Sequence, residues 1–137
     1  MSPRVHSTEL RVRYAETDRM GVVYHANYLA WCEVGRTEYI RTLGESYSEL
    51  EARGIMLAVS DASLRYHAPA RYDDVVRIDT SVSEVRSRTV TFEYLITNAA
   101  SGTRLVSART TLVSMDPGGR TVSLPPDFRR RMEESMG

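Results

Sequence analysis

The chain reads as an α+β protein, a single sheet of antiparallel strands with a long helix laid across one face. Three observations predict it. Residues 88–98 alternate Val90, Phe92, Tyr94 and Ile96 against Thr89, Thr91 and Glu93, the period of a strand with one buried face. Residues 27–43 place Tyr28, Trp31, Cys32, Gly35, Tyr39 and Leu43 at helical spacing, which makes one buried stripe. Helical periodicity then ends at Gly54, and from there to Met115 the pattern is strand-like.

The first element is a short strand, ELRVRY at 9–14, with Leu10, Val12 and Tyr14 opposite Glu9, Arg11 and Arg13. The long helix starts at Asn27, a residue suited to capping, and stops at Gly44, with Leu29 and Ile40 flanking its stripe. Gly35 sits in mid-helix, where glycine costs about 1 kcal/mol relative to alanine, so a close approach of helix to sheet is expected there. Ser46 and Glu49 have capping-box spacing, which makes SYSELEAR a second, short helix ahead of Gly54. Strands follow at 55–67, 75–85, 88–98 and 103–115. Because VRSR and NAASG are hairpin-length connections, these strands are expected to form an antiparallel meander. DPGG at 116–119 is a turn, and PPDFRRRMEES closes the chain with a helical turn or two.

A length of 137 residues makes one domain, 1–137, with no repeat or linker to divide it. The 18 basic residues are all arginine and balance 18 acidic ones, so no net field recruits nucleic acid or a membrane surface. Without lysine, Schiff-base chemistry is excluded. Cys32 stands alone, which rules out an internal disulfide and fits a reducing compartment. No window approaches the length of a membrane span and MSPRVHSTEL has no signal-like apolar core, so a soluble, cytoplasmic protein is expected. His6, His25 and His67 lack any metal-ligand spacing. One sheet layer of this size leaves a face and its edges uncovered, which predicts a homo-oligomer joined through sheet edges or helices.

The densest chemistry lies in TDRMGVVYHANY, residues 17–28. Asp18 falls in the loop between the first strand and the long helix, and Gly21 lets the chain turn sharply ahead of the helix. The carboxylate therefore faces a helix N-terminus, whose first amides lack internal partners and carry roughly half a positive charge. A carboxylate beside such an oxyanion site is a minimal hydrolase. On its own Asp18 would read as a turn-capping aspartate, and Cys32 and the tyrosines as core; the constellation makes the difference. No Ser-His-Asp or Cys-His pairing is evident, and His25 is the nearby candidate for a proton donor. A site with so weak an acid suits a leaving group that departs as an anion, and a thiolate does so far more readily than an alkoxide. The substrate that fits is a thioester.

RYAETDRMGVVYHANYLAWCEVGRTEYI resembles the signature of the 4-hydroxybenzoyl-CoA thioesterase family of hotdog-fold proteins, above all its YbgC-type acyl-CoA thioesterases. YHAPARYDDVVRI and VRSRTVTFEY are similar to later segments of the same family. The resemblance implies a hotdog fold, a long central helix wrapped by a five-stranded antiparallel sheet, in dimers that join edge to edge and pair into tetramers. It also implies an active site at the dimer interface that hydrolyses a short-chain aliphatic or aromatic acyl-CoA to free acid and CoA.

By position in the motif, Asp18 matches the family's catalytic carboxylate and His25 the residue at the helix mouth, whose N–H polarises the thioester carbonyl. Tyr14 and Tyr28 match the flanking tyrosines. Arg86, Arg88 and Arg120 are implied contacts to the CoA phosphates, and arginine forks suit phosphate. No metal or redox cofactor is implied, since coenzyme A enters as part of the substrate. Gly35, where the family leads one to expect alanine, and the Arg19-Met20 pair depart from the pattern. Two other uses of the fold fit less well. A hydroxyacyl dehydratase pairs a histidine with a carboxylate from separate elements, and a non-catalytic acyl-CoA sensor would need an added DNA-binding module for which the single layer leaves no room.

Overall fold

Five strands, β1 (His6–Arg11), β2 (Met56–Tyr66), β3 (Val75–Val85), β4 (Thr89–Asn98) and β5 (Arg104–Met115), form one antiparallel sheet in the order β1-β3-β4-β5-β2. Three helices accompany it: α1 (Asn27–Thr42), α2 (Tyr47–Ala52) and α3 (Pro126–Ser135). The structure, a computed structural model, describes residues 4–137.

The alternation in β4 sets the inner face. Phe92, Tyr94 and Ile96 pair with Val82, Thr80 and Ile78 on β3, and with Thr110, Ala108 and Val106 on β5, so buried side chains line up in rows across the sheet. Burying each large apolar side chain contributes about 1.5–3 kcal/mol. Helix α1 lies on this face against β1, β3 and β4 and buries Tyr28, Trp31, Cys32, Gly35 and Tyr39 of the expected stripe, while Ile40, expected to flank it, is buried and Leu43, just past the helix end, is only half-buried. A Cβ at Gly35 would stand 2.5 Å from Thr80 Oγ1 and 2.8 Å from Ile78 Cγ2. The helix thus crosses β3 at a distance that only glycine permits. Arg36 lies in the same stripe, 8% exposed, with its Nε donating to the Tyr47 hydroxyl at 3.1 Å. Helix α3 packs on β3 and closes the core with Phe128 and Met132.

Several expectations are corrected. The first strand is His6–Arg11 rather than 9–14, because the chain leaves the sheet for a single 3-10 turn over Tyr14–Glu16 once Glu16 Oε1 takes the Arg13 N–H at 2.8 Å. The meander holds only for β3, β4 and β5; β2 crosses to the far side and pairs with β5, which leaves residues 67–74 as a crossing loop rather than a hairpin. Asn27 does not cap α1, since its Nδ2 donates to the Glu16 carbonyl at 2.8 Å and Ala26 takes the cap position. Ser46 does cap α2, with its Oγ accepting from the Glu49 N–H at 3.2 Å. The C-terminal helix is ten residues long, more than a turn or two.

The outer face carries Asp79, Glu93 and Arg109 and is polar. At the edge, β2 leaves Met56, Val59 and Tyr66 about half exposed along an edge with no pairing partner among the described residues. No helix among the described residues is long and apolar enough to cross a membrane.

Candidate active site at the helix mouth

The entrance to α1 is organised by Glu16. Its carboxylate is buried, with Oε1 accepting from the Arg13 N–H at 2.8 Å and Oε2 from the Trp31 indole N–H at 2.9 Å. Its carbonyl oxygen accepts from the Tyr24 N–H at 2.8 Å and from Asn27 Nδ2 at 2.8 Å. Burial alone pushes this carboxyl up, but the Arg13 and Trp31 donors and the Arg13 charge outweigh it and hold it below the usual carboxylate value. One anionic residue thereby ties the strand exit, the turn before α1 and the first turns of α1 together.

Asp18 occupies the loop that Glu16 anchors. Its N–H donates to the Val22 carbonyl at 2.8 Å, Thr17 bridges to Val23, and Gly21 closes the loop at φ +78°. Asp18 Oδ1 accepts from the Met20 N–H at 2.8 Å, while Oδ2 has no partner among the described residues. The loop holds the carboxylate by one oxygen and leaves the other without a partner among the described residues.

Seven residues on, His25 and Ala26 form the turn that leads into α1. Neither of their N–H groups finds an acceptor among the described residues. At a helix start such amides, reinforced by the macrodipole, are donors for an oxyanion. Beside them lies a pocket of about 280 Å³ lined by Val23, His25, Tyr28, Tyr66, His67, Ala68 and Pro69. Its Tyr28 and Tyr66 rings meet edge to face at 5.7 Å. Tyr28 reaches out of α1 to accept the Ala70 N–H at 3.1 Å, and burial pushes its hydroxyl above the usual tyrosine value. Tyr66 donates to the His25 carbonyl at 3.1 Å, and His67 Nε2 lies 3.0 Å from Ser107 Oγ.

Of the residues singled out in the sequence, His25 and Tyr28 share the pocket, and Asp18 sits in the adjoining loop without lining it. Tyr14 is 77% exposed and stacks edge-on against Tyr72 at 5.7 Å, away from the pocket walls. Arg86 pairs with Glu84 at 2.9 Å, and Arg88 donates to Thr121 Oγ1 at 3.1 Å, which brings Arg88 next to the Arg120 turn. That cluster lies at the opposite end of the sheet. Tyr66 pairs with Val106 but Thr89 with Val113, seven residues along β5, or roughly 23 Å at the rise of a strand. Sequence reading gave no role to Glu16, Tyr66, His67 or loop 67–70. The one signal was the YHAPARYDD segment itself, a Pro-punctuated run straight after a strand. Among the described residues no three His, Cys, Asp or Glu side chains gather where they could hold a metal ion.

The sheet order, the buried central helix and a pocket at that helix's mouth define a hotdog α+β enzyme scaffold. Residues 12–132 match the thioesterase-like superfamily, and the chain belongs to that family. It is 39% identical over 108 residues to the acyl-CoA thioester hydrolase YbgC of Escherichia coli O6:H1, a match that spans 79% of this chain and 80% of that one. Among solved structures it resembles a DHNA-CoA thioesterase from Staphylococcus aureus, with a TM-score of 0.91 and 33% identity over 95% of this chain and 89% of that one. A 4-hydroxybenzoyl CoA thioesterase shares the fold at a TM-score of 0.85 and 20% identity, over 94% and 99% of the two chains.

Proposed function

We propose that this protein is an acyl-CoA thioesterase whose reaction centre is Asp18 facing the mouth of α1. The observations that support the reading are the unpartnered His25 and Ala26 N–H groups at the helix mouth and, in the adjoining loop, a carboxylate that keeps one oxygen free among the described residues. The thioester carbonyl docks against those amides, which take up the negative charge that develops on its oxygen. Asp18 either accepts a proton from the attacking water or attacks the carbonyl carbon itself, in which case water then cleaves the acyl-aspartyl anhydride. Both routes yield the free acid and the CoA thiol. His25 stands where it can donate to or orient the departing group, and Tyr28 builds the pocket floor.

A pocket of about 280 Å³ is at the small end for a ligand site, which favours a compact short-chain or aromatic acyl group. Arg86, Arg88 and Arg120 serve the CoA phosphates of a neighbouring subunit's site. Antiparallel pairing of two β2 edges runs the Met56 end of one copy beside the Tyr66 end of the other, so each copy's arginine end approaches the other's pocket. The enzyme is a homodimer that pairs into a tetramer. It acts in the cytoplasm, a reading supported by its lone, buried Cys32.

Thiol release from a panel of short, long and aromatic acyl-CoAs tests the proposal, with turnover of a compact acyl-CoA expected. Binding without thiol release would overturn the hydrolase reading and leave an acyl-CoA sensor. In single turnover in ¹⁸O water, label entering Asp18 marks the nucleophilic route, and where label appears only in the product acid, rapid-quench mass spectrometry for an acyl group on Asp18 separates the two routes.

A further inference from the structure

Tyr66 is the last residue of the edge strand β2, yet its hydroxyl reaches across to the turn ahead of α1 and donates to the His25 carbonyl at 3.1 Å. Its backbone is a fixed reference. Tyr66 pairs with Val106 on β5, and the next N–H, from His67, donates to the Leu105 carbonyl at 2.8 Å. The His25 carbonyl it holds belongs to the same planar unit as the Ala26 N–H, and no peptide bond among the described residues is cis. In a trans peptide the two groups point in opposite directions, so fixing one aims the other. Ala26 already has helical torsions, φ −72° and ψ −20°, so its free N–H is directed out of the mouth of α1. A donor on the carbonyl also polarises the peptide and makes its N–H a better donor.

Resting on the thioesterase reading above, we infer that Tyr66 is a positioning residue: through the His25 carbonyl it aims and strengthens the Ala26 N–H as a second oxyanion donor beside the His25 N–H. Its phenol ring has a separate part in the same pocket, packing against Tyr28 and the His25 ring at centroid distances of 5.7 and 6.5 Å. Hydroxyl and ring are therefore separable. Loss of the hydroxyl alone lowers kcat and leaves KM, because an oxyanion donor acts most strongly on the charge that develops in the transition state.

The test is a double-mutant cycle of Tyr66→Phe and Ala26→Pro, read as kcat and KM for an acyl-CoA the native enzyme hydrolyses. Proline suits φ −72° and removes the N–H without breaking any hydrogen bond made by it among the described residues. Tyr66→Phe is expected to lower kcat about 10-fold, within the range for an oxyanion donor and its support, with KM changed less than about twofold. Ala26→Pro should lower kcat at least as much, and in its background Tyr66→Phe should cost nothing further. An unchanged kcat in Tyr66→Phe overturns the inference. So does a loss that repeats at full size in the Ala26→Pro background, or one in which KM rises in step with the fall in kcat. If Ala26→Pro fails to fold, the kcat and KM of Tyr66→Phe alone decide the matter. A native protein that releases no thiol fails the thioesterase reading instead, whereas an active native protein with an equally active Tyr66→Phe fails only this one.

Discussion

The two ends of the sheet are built differently. At the helix mouth the polar geometry is set by main chain and by a buried carboxylate: Glu16 holds Arg13, Tyr24, Asn27 and Trp31, and Asp18 lies in a loop closed by its own backbone. At the other end Arg86 and Arg88 stand on an exposed hairpin whose main chain is paired, the Arg86 N–H to the Thr89 carbonyl at 2.9 Å, while their guanidinium groups meet only the exposed side chains of Glu84 and Thr121 among the described residues. Charge that appears for an instant on a thioester oxygen must meet donors already in place. Phosphates that carry charge throughout can be met by mobile cations in water. On the proposed mechanism, the polar groups held by main chain and a buried carboxylate are the ones that would meet the changing charge.

The largest effect that would sharpen this contrast is at Asp18. Asp18→Asn should lower kcat at least about 10²-fold with the fold intact, since on the proposed mechanism it changes only the group that acts on the reacting atoms. Steady-state thiol release measures it, and a variant as active as the native protein would remove Asp18 from the mechanism.

Next in size is the scaffold beneath it. In Glu16→Gln a single carboxamide oxygen replaces two acceptors, so the Arg13 or the Trp31 N–H loses a charged partner, at a cost of about 1.5–3 kcal/mol. Urea unfolding should show that loss, and kcat should fall because the turn at Tyr24 loosens. The pH dependence has a definite sign. Glu16 titrates lower folded than unfolded, so its contribution is present above the ordinary carboxylate value and disappears on acidification. The stability gap between native and variant should therefore close as pH falls below about 4.

At the far end the expected change is in KM. Replacing Arg88 and Arg120 together by alanine should raise KM for acyl-CoA about 10-fold at low salt and leave kcat unchanged, with the difference shrinking as salt rises. The same variant should treat an acyl-pantetheine, which lacks the nucleotide, as the native enzyme does. A fall in kcat instead would break the division between the two ends.

The smallest effect concerns the core behind α1. Burial pushes the Cys32 thiol from an ordinary 9.0 up to about 12. Between those values the unfolded chain has released a proton that the folded chain keeps, so stability falls as pH rises from about 9. A loss of about 1 kcal/mol between pH 8 and pH 10 is expected from this group, readable as a shift in urea midpoint that is smaller in Cys32→Ala.

Much of this was legible in the residues alone. The strands from β3 onward and the buried stripe of α1 follow from alternation and helical spacing, and Gly35 announced the close crossing of helix and sheet. Each of those signals is local. Asp18 and His25 were picked out because they lie in one short stretch ahead of a helix. Glu16 stands immediately before that stretch, but its importance comes from Trp31, fifteen positions away, and nothing in its own neighbourhood marks it as buried.

Side-chain periodicity is a property of neighbouring residues, so the sequence determined by itself the strands from β3 onward, the helix α1 and the faces they bury, and it put Asp18 in the loop ahead of that helix. The tertiary structure decided what depends on distant segments. It sent β2 past β3 to pair with β5, buried Arg36 in the apolar stripe, and brought Tyr66 of the edge strand onto the His25 carbonyl. It also set the arginines and the pocket at opposite ends of one sheet. Those outcomes rest on pairing between strands far apart in the chain, which is chosen by how the whole core packs and leaves no period in the sequence to read.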